Sequence, residues 1–161
     1  MTLKQNKIIE ERIQKAIGFF ENGYNCSQSV LMAYADLYSI DQETAAKIAS
    51  SFGGGMGRLR EVCGAVTGMF MVLGFLYPAT DVTDKKAKTT NYQAVQRTAM
   101  EFKQEMGSYI CADLLKIKRQ PEDATPSERN ARYYALRPCS RCVAMAAEIV
   151  GTEIYCSKIE P

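Results

Sequence analysis

The sequence predicts an all-α protein: a single domain over residues 1–161, a multi-helix bundle built around one buried apolar central helix. Three observations carry that expectation. From Cys63 to Leu76 every residue except Thr67 is apolar or glycine, so a helix there is apolar all round and belongs at the centre of a domain or in a membrane. The run is shorter than the roughly 20 residues needed to cross a bilayer, which leaves the centre of a bundle. Elsewhere apolar residues recur at three- and four-residue spacing, with helix start and stop signals between them. No convincing strand pattern, internal repeat or low-complexity tract interrupts this reading.

The elements follow in order. Ile9, Ile13, Ala16, Ile17 and Phe20 form one face of an amphipathic helix whose other side carries Glu10, Glu11, Arg12, Gln14 and Lys15, ending near Asn22-Gly23. Asn25 with Gln28 three places on is a capping-box pattern. It opens a second helix on which Cys26 shares a face with Val30, Ala33, Tyr34 and Leu37. A third begins at Asp41, with Ala45, Ile48, Ala49 and Phe52 inward, and is ended by the run Gly53-Gly54-Gly55-Met56-Gly57.

The central helix follows, with Cys63 at its mouth. Gly64 and Gly68 lie four apart on it, a spacing that favours close helix packing, and Pro78 closes the segment. A long amphipathic helix from about Asp84 to Met106 has Tyr92, Val95, Ala99, Phe102 and Met106 inward, with Gly107 as its C-terminal cap. Ser108 caps a short helix in which Cys111, Leu114 and Leu115 share a face. The polar stretch from Arg119 to Asn130, with two prolines, reads as a loop running into another short helix. Pro138 and Cys139 begin the last helix, whose inner face is Val143, Ala146, Ala147 and Val150, with Gly151 after it.

Composition narrows the function. A chain of 161 residues buries a core without staples. Its net charge of +2 is too small to argue for nucleic acid. The basic clusters Lys85-Lys86-Ala87-Lys88 and Lys116-Ile117-Lys118-Arg119 read as solvated surface, because no aromatic residues interleave with them. The N-terminal stretch has no apolar segment suited to a signal peptide, so the expected address is the cytoplasm, where thiols stay reduced. Six cysteines then call for an explanation other than structural disulfides. Histidine is absent, which excludes Ser-His and Cys-His catalytic pairs and histidine-ligated metal or haem.

Cys26, Cys63 and Cys139 each fall in the first turn of an expected helix. Partial positive charge there stabilises thiolate, which is both the nucleophile of disulfide exchange and a metal ligand. The glycine run follows a helix rather than a strand and lacks the motif of a nucleotide loop. The backbone N–H groups of Gly53, Gly54 and Gly55 remain candidates to face an anion, a thiolate or a cluster sulfide.

These features resemble the C_GCAxxG_C_C family of redox-active proteins. The resemblance runs from about Asn25 to Val150, through Asn25-Cys26-Ser27-Gln28, the glycine run and Cys63-Gly64-Ala65-Val66-Thr67-Gly68. It continues through Cys111 before Leu114-Leu115, and Cys139 ahead of Val143 and Ala146-Ala147-Glu148. The family is similar in part to the region of split-Soret-type cytochromes associated with an iron–sulfur cluster. The resemblance implies that Cys26, Cys63, Cys111 and Cys139 are the functional set, and leaves Cys142 and Cys156 as additional or structural cysteines. Cys139-Ser140-Arg141-Cys142 also has the spacing of a redox dithiol, without the βαβ setting in which that motif is usual.

Three readings stand open. The four cysteines cycle between dithiol and disulfide or pass electrons; or the same thiolates hold an iron–sulfur cluster or zinc; or they are inert fillers of a helical scaffold. The spacing of the four is unlike the close pairs of zinc ribbons and ferredoxins and does not choose among these. Arg58, Arg60 and Arg141 are candidates to stabilise thiolates, and Glu61 or Tyr24 to shuttle protons. The expected partner is a redox protein or a small thiol or disulfide substrate, with no role for nucleic acid or membrane. The apolar central helix is compatible with a homodimer without requiring one.

Overall fold

The computed structural model describes residues 1–156, apart from the side chain of Cys156. It is all-α. Among the described residues eight helices form: α1 Leu3–Glu21, α2 Cys26–Tyr34, α3 Gln42–Ala49, α4 Gly64–Leu76, α5 Lys85–Met106, α6 Cys111–Leu115, α7 Ala131–Leu136 and α8 Cys139–Cys156. None is long and apolar enough to cross a membrane. The only β-type pairing among the described residues is an isolated antiparallel bridge between Val62 and Ile110.

Local chemistry sets the helix ends. The Asn25 side chain accepts from Gln28 N while Gln28 Oε1 accepts from Asn25 N, so two otherwise unpaired donors at the start of α2 are satisfied reciprocally. Asp41 and Asp84 cap α3 and α5 without the return bond, each side chain accepting from the backbone N–H three residues on, Thr44 N and Ala87 N. Gly107, at φ 90°, ends α5 as expected. Ile110 rather than Ser108 occupies the cap position of α6; Ser108 Oγ instead accepts from Ile110 N and donates to Asp113.

The core lies between α1, α2, α4 and α8, which pack on one another, while α5 covers α4 and α8 from outside. The apolar α4 is central, with Val66, Met69, Val72 and Leu73 fully buried. It shares that position with α2. Ser27 and Ser29 are as buried as Val30, Leu31 and Met32, so α2 is enclosed all round rather than on the single face its apolar pattern suggests. The hydroxyls do not break the enclosure, because Ser29 Oγ donates to Asn25 O at 2.8 Å. At Gly68 a Cβ would meet Ser27 O at 2.7 Å, so the small-residue spacing on α4 serves close packing of α2.

Three sequence expectations need correction. Ile48 is 45% exposed, leaving the small Ala45 and Ala49 as the buried face of α3. On α5 the inner face is Ala94, Thr98 and Phe102; Tyr92 is 63% exposed. Thr98 is tolerated inside because its hydroxyl donates to Ala94 O, 2.9 Å away in the preceding turn. Gly151 does not end α8 but lies buried within it, where a Cβ would come 2.6 Å from the Tyr34 hydroxyl. That hydroxyl donates to Ala147 O at 2.7 Å, joining α2 to α8.

Candidate functional site

The glycine run does something unusual for L-residues. From Gly54 to Arg58 every residue has φ between 64° and 68°, and Arg60 follows at 62°. Gly57 N donates to Gly53 O at 2.9 Å, closing one turn of left-handed screw sense. A side chain in this conformation costs about 1–2 kcal/mol, so three of the five positions being glycine lowers the cost. The turn reverses the chain between α3 and α4 and delivers Arg58 and Arg60 to one place.

Four helix starts meet beside this turn. Asn25 Nδ2 donates to Ser50 O at 3.0 Å, holding the start of α2 against the segment before the glycines. Cys63 N donates to Tyr109 O at 2.9 Å and Cys111 N to Glu61 O at 2.7 Å, tying the starts of α4 and α6 together. Glycine makes the approaches close. A Cβ on Gly64 would lie 2.9 Å from Phe52 O and 3.2 Å from Cys26 Cβ, and one on Gly55 would lie 2.6 Å from Cys111 Cβ. Pro138 O accepts from Cys142 N at 2.9 Å at the start of α8.

The result is a cavity of about 280 Å³ lined by Cys26, Cys63, Cys111 and Cys139 together. Gly53, Gly54 and Gly55 also line it. So does Cys142, the residue that the resemblance leaves outside the functional set. All five are free thiols. Cys63, Cys111 and Cys142 are buried, whereas Cys26 and Cys139 are half-buried. The sixth cysteine, Cys156, has its side chain outside the described ones.

The thiols pair across elements rather than along Cys139-Ser140-Arg141-Cys142. Cys26 acts on Cys139, and Cys63 on Cys142, through electrostatic interaction between the thiols. Helix starts alone would lower each of Cys26, Cys63, Cys111 and Cys139, but of these four only Cys139 follows that expectation. Its interaction with Cys26, together with the positive charges of Arg137, Arg129 and Arg60, outweighs its burial and brings Cys139 down from 9.0 to about 7. The same interaction raises Cys26 well above 9.0, and burial adds to the rise. Cys63 is raised in the same way by its interaction with Cys142 and by burial. Burial pushes Cys111 up to about 11 although Arg60 Nη1 donates to its sulfur at 3.6 Å.

Of the candidate helpers, Arg58 and Arg60 line the cavity. Arg60 is 2% exposed and is neutralised by Glu122, which also lies 3.5 Å from Arg58. Arg58 further holds the loop over the site, donating to Asp123 O at 2.6 Å. Arg141 is exposed and does not line the cavity. Glu61 pairs with Arg119, and the Tyr24 ring packs edge-on against Phe19; neither side chain lines the cavity. Sequence reasoning missed Arg129, Tyr133 and Arg137, which do line it. The one available signal was Arg137 standing two residues before Cys139.

Thiols suit iron–sulfur clusters or zinc by their chemistry. Among the described residues, however, no three ligating side chains converge as one metal ion requires. The arrangement therefore does not fit zinc without movement of the thiols.

A helical domain with several free thiols converging on one basic cavity is, as a class, suited to redox chemistry. The chain belongs to the family described as putative redox-active protein (C_GCAxxG_C_C), whose sequence model matches residues 24–153. No curated protein and no solved structure is detectably similar to it.

Proposed function

We propose that the protein carries out thiol–disulfide exchange with Cys139 as attacking thiolate and Cys26 as resolving thiol. The observation that carries this reading is that Cys26 and Cys139 line the cavity together and are its two half-buried thiols, with opposite displacements of their two pKa values. A thiol near pKa 7 is about half thiolate at neutral pH and keeps most of its nucleophilicity.

The exchange balances as follows. The Cys139 thiolate attacks one sulfur of a substrate disulfide; the bond between Cys139 and that sulfur forms as the substrate S–S bond breaks, and the first thiolate leaves. Cys26 then gives its proton to a departing thiolate and attacks the Cys139 sulfur, forming the Cys26–Cys139 disulfide and releasing the second product. The protein dithiol loses two electrons, and the substrate disulfide gains them. An external dithiol would return the protein to its reduced form.

The test is alkylation of the reduced chain with iodoacetamide, resolved by peptide. Cys139 should label first, with a rate half-maximal near pH 7, rising as pH rises because the thiolate is the reacting form. Mild oxidation should protect Cys139 and Cys26 together. Equal labelling of all the thiols, or oxidation that joins other pairs, would overturn the assignment. A second reading, cluster binding, is favoured by one observation: all five described thiols line a single cavity. Visible absorbance of the anaerobically purified chain, lost in Cys63→Ser and Cys111→Ser, would support it over exchange.

A further inference from the structure

The cavity's charge is far from balanced. Its lining holds four arginines, Arg58, Arg60, Arg129 and Arg137, and no aspartate or glutamate. Arg58 and Arg60 share a single carboxylate, Glu122. Arg129 and Arg137 have neutral partners only among the described residues. Arg129 donates to the carbonyls of Phe20 and Tyr24 at 3.4 and 3.2 Å and lies over the Phe20 and Tyr133 rings. Arg137 donates to Ser127 Oγ at 3.3 Å and lies over Tyr133 from its own position, 4.6 Å from the centroid. Four guanidinium groups against Glu122 and one Cys139 thiolate leave a net positive charge in a partly dry space. Charge placed so concentrates anions and repels cations.

Size adds a second limit. A cavity of about 280 Å³ lies at the low end for small-molecule sites, and a folded partner does not enter it. Both guanidinium groups lie over the Tyr133 ring, Arg129 at 4.7 Å and Arg137 at 4.6 Å from its centroid, and a guanidinium matches the forked geometry of a carboxylate. We infer that the substrate is a low-molecular-weight disulfide bearing carboxylates, with its anionic groups on Arg129 and Arg137 and one sulfur against Cys139. This rests on the thiol–disulfide reading and names the substrate class for that site.

The test uses three disulfides of similar size and different charge on the reduced, full-length chain without air: dithiodiacetate (a dianion), bis(2-hydroxyethyl) disulfide (neutral) and cystamine (a dication). The readout is the rate of Cys26–Cys139 disulfide formation, followed by mass spectrometry of quenched peptides. Each rate is divided by that of 2-mercaptoethanol with the same reagent, which removes intrinsic reactivity. The normalised dianion-to-dication ratio should exceed about tenfold at low salt and shrink at high salt. Arg137→Gln should lower that ratio severalfold and Arg137→Lys should largely restore it; because a ratio is read, a change in Cys139 itself cancels.

A ratio near or below one in the unaltered chain, or one indifferent to salt, overturns the substrate assignment while leaving exchange in place. A ratio unchanged by Arg137→Gln overturns the role given to that arginine. Should that variant not fold, the charge series and salt dependence of the unaltered chain still decide. If none of the three reagents yields the Cys26–Cys139 disulfide, the exchange reading fails and the substrate assignment falls with it.

Discussion

At Gly55 a methyl group would stand 2.6 Å from Cys111 Cβ and 2.9 Å from two backbone atoms, on a backbone already at φ 68°. Overpacking of about 1–3 kcal/mol and left-handed strain of about 1–2 kcal/mol both act there. Gly55→Ala should therefore cost about 2–4 kcal/mol in urea unfolding and displace Cys111 from Arg60. Its neighbour behaves oppositely. Met56 is exposed and sits at φ 67°, so Met56→Gly should leave stability unchanged or raise it by up to about 1 kcal/mol, measured in the same way. At this scale the cavity takes in the four cysteines that the resemblance implies and also Cys142, which it leaves out. The sequence was a poor guide to their acidity. Interaction between thiols from distant segments is the largest cause at Cys26, Cys63 and Cys139, and burial at Cys111, and neither is written in local spacing. Arg129 and Arg137 were hidden for a related reason: they lie in polar, non-periodic chain, where nothing constrains where a side chain ends up.

Among the elements, α2 bears the most. Its start is fixed by the Asn25–Gln28 box and by Asn25 Nδ2 on Ser50 O, so one side chain both caps the helix and holds it to the segment before the glycines. Asn25→Ala should cost about 1–2 kcal/mol, in the upper range for a cap, because the bond to Ser50 is lost as well. The check is the urea midpoint, with the far-ultraviolet helix signal retained. Helix existence and most boundaries were legible here, since caps and period are local. Facing was less so. Ile48 and Tyr92 were assigned inward on hydrophobicity, yet the buried positions are Ala45 and Ala49 on α3 and Ala94, Thr98 and Phe102 on α5. Gly151 likewise read as a stop, whereas contact with Tyr34 requires a glycine inside α8.

For the molecule as a whole, buried thiols set a limit at alkaline pH. Cys111 moves from 9.0 to about 11 on folding, so the folded chain holds that proton more tightly. The stability this gives is fully present below pH 9 and lost as pH rises towards 11, about 2–3 kcal/mol from Cys111 alone. Cys26 and Cys63 shift in the same direction and add to the loss. Cys139 acts on the acid side, its contribution fading as pH falls through about 7. Urea midpoints across pH 6–11 should therefore peak between about 7 and 9. A peak displaced above 10 would contradict these shifts. The two exchange thiols also come from opposite ends of the fold, Cys26 opening the second helix and Cys139 the last. On the exchange reading, joining them would close a loop of more than a hundred residues and restrict the unfolded chain by about 4–5 kcal/mol. Calorimetry should then find the oxidised form melting about 10 °C above the reduced one. Resistance to heat would report how many electrons the cavity holds, with no chromophore required.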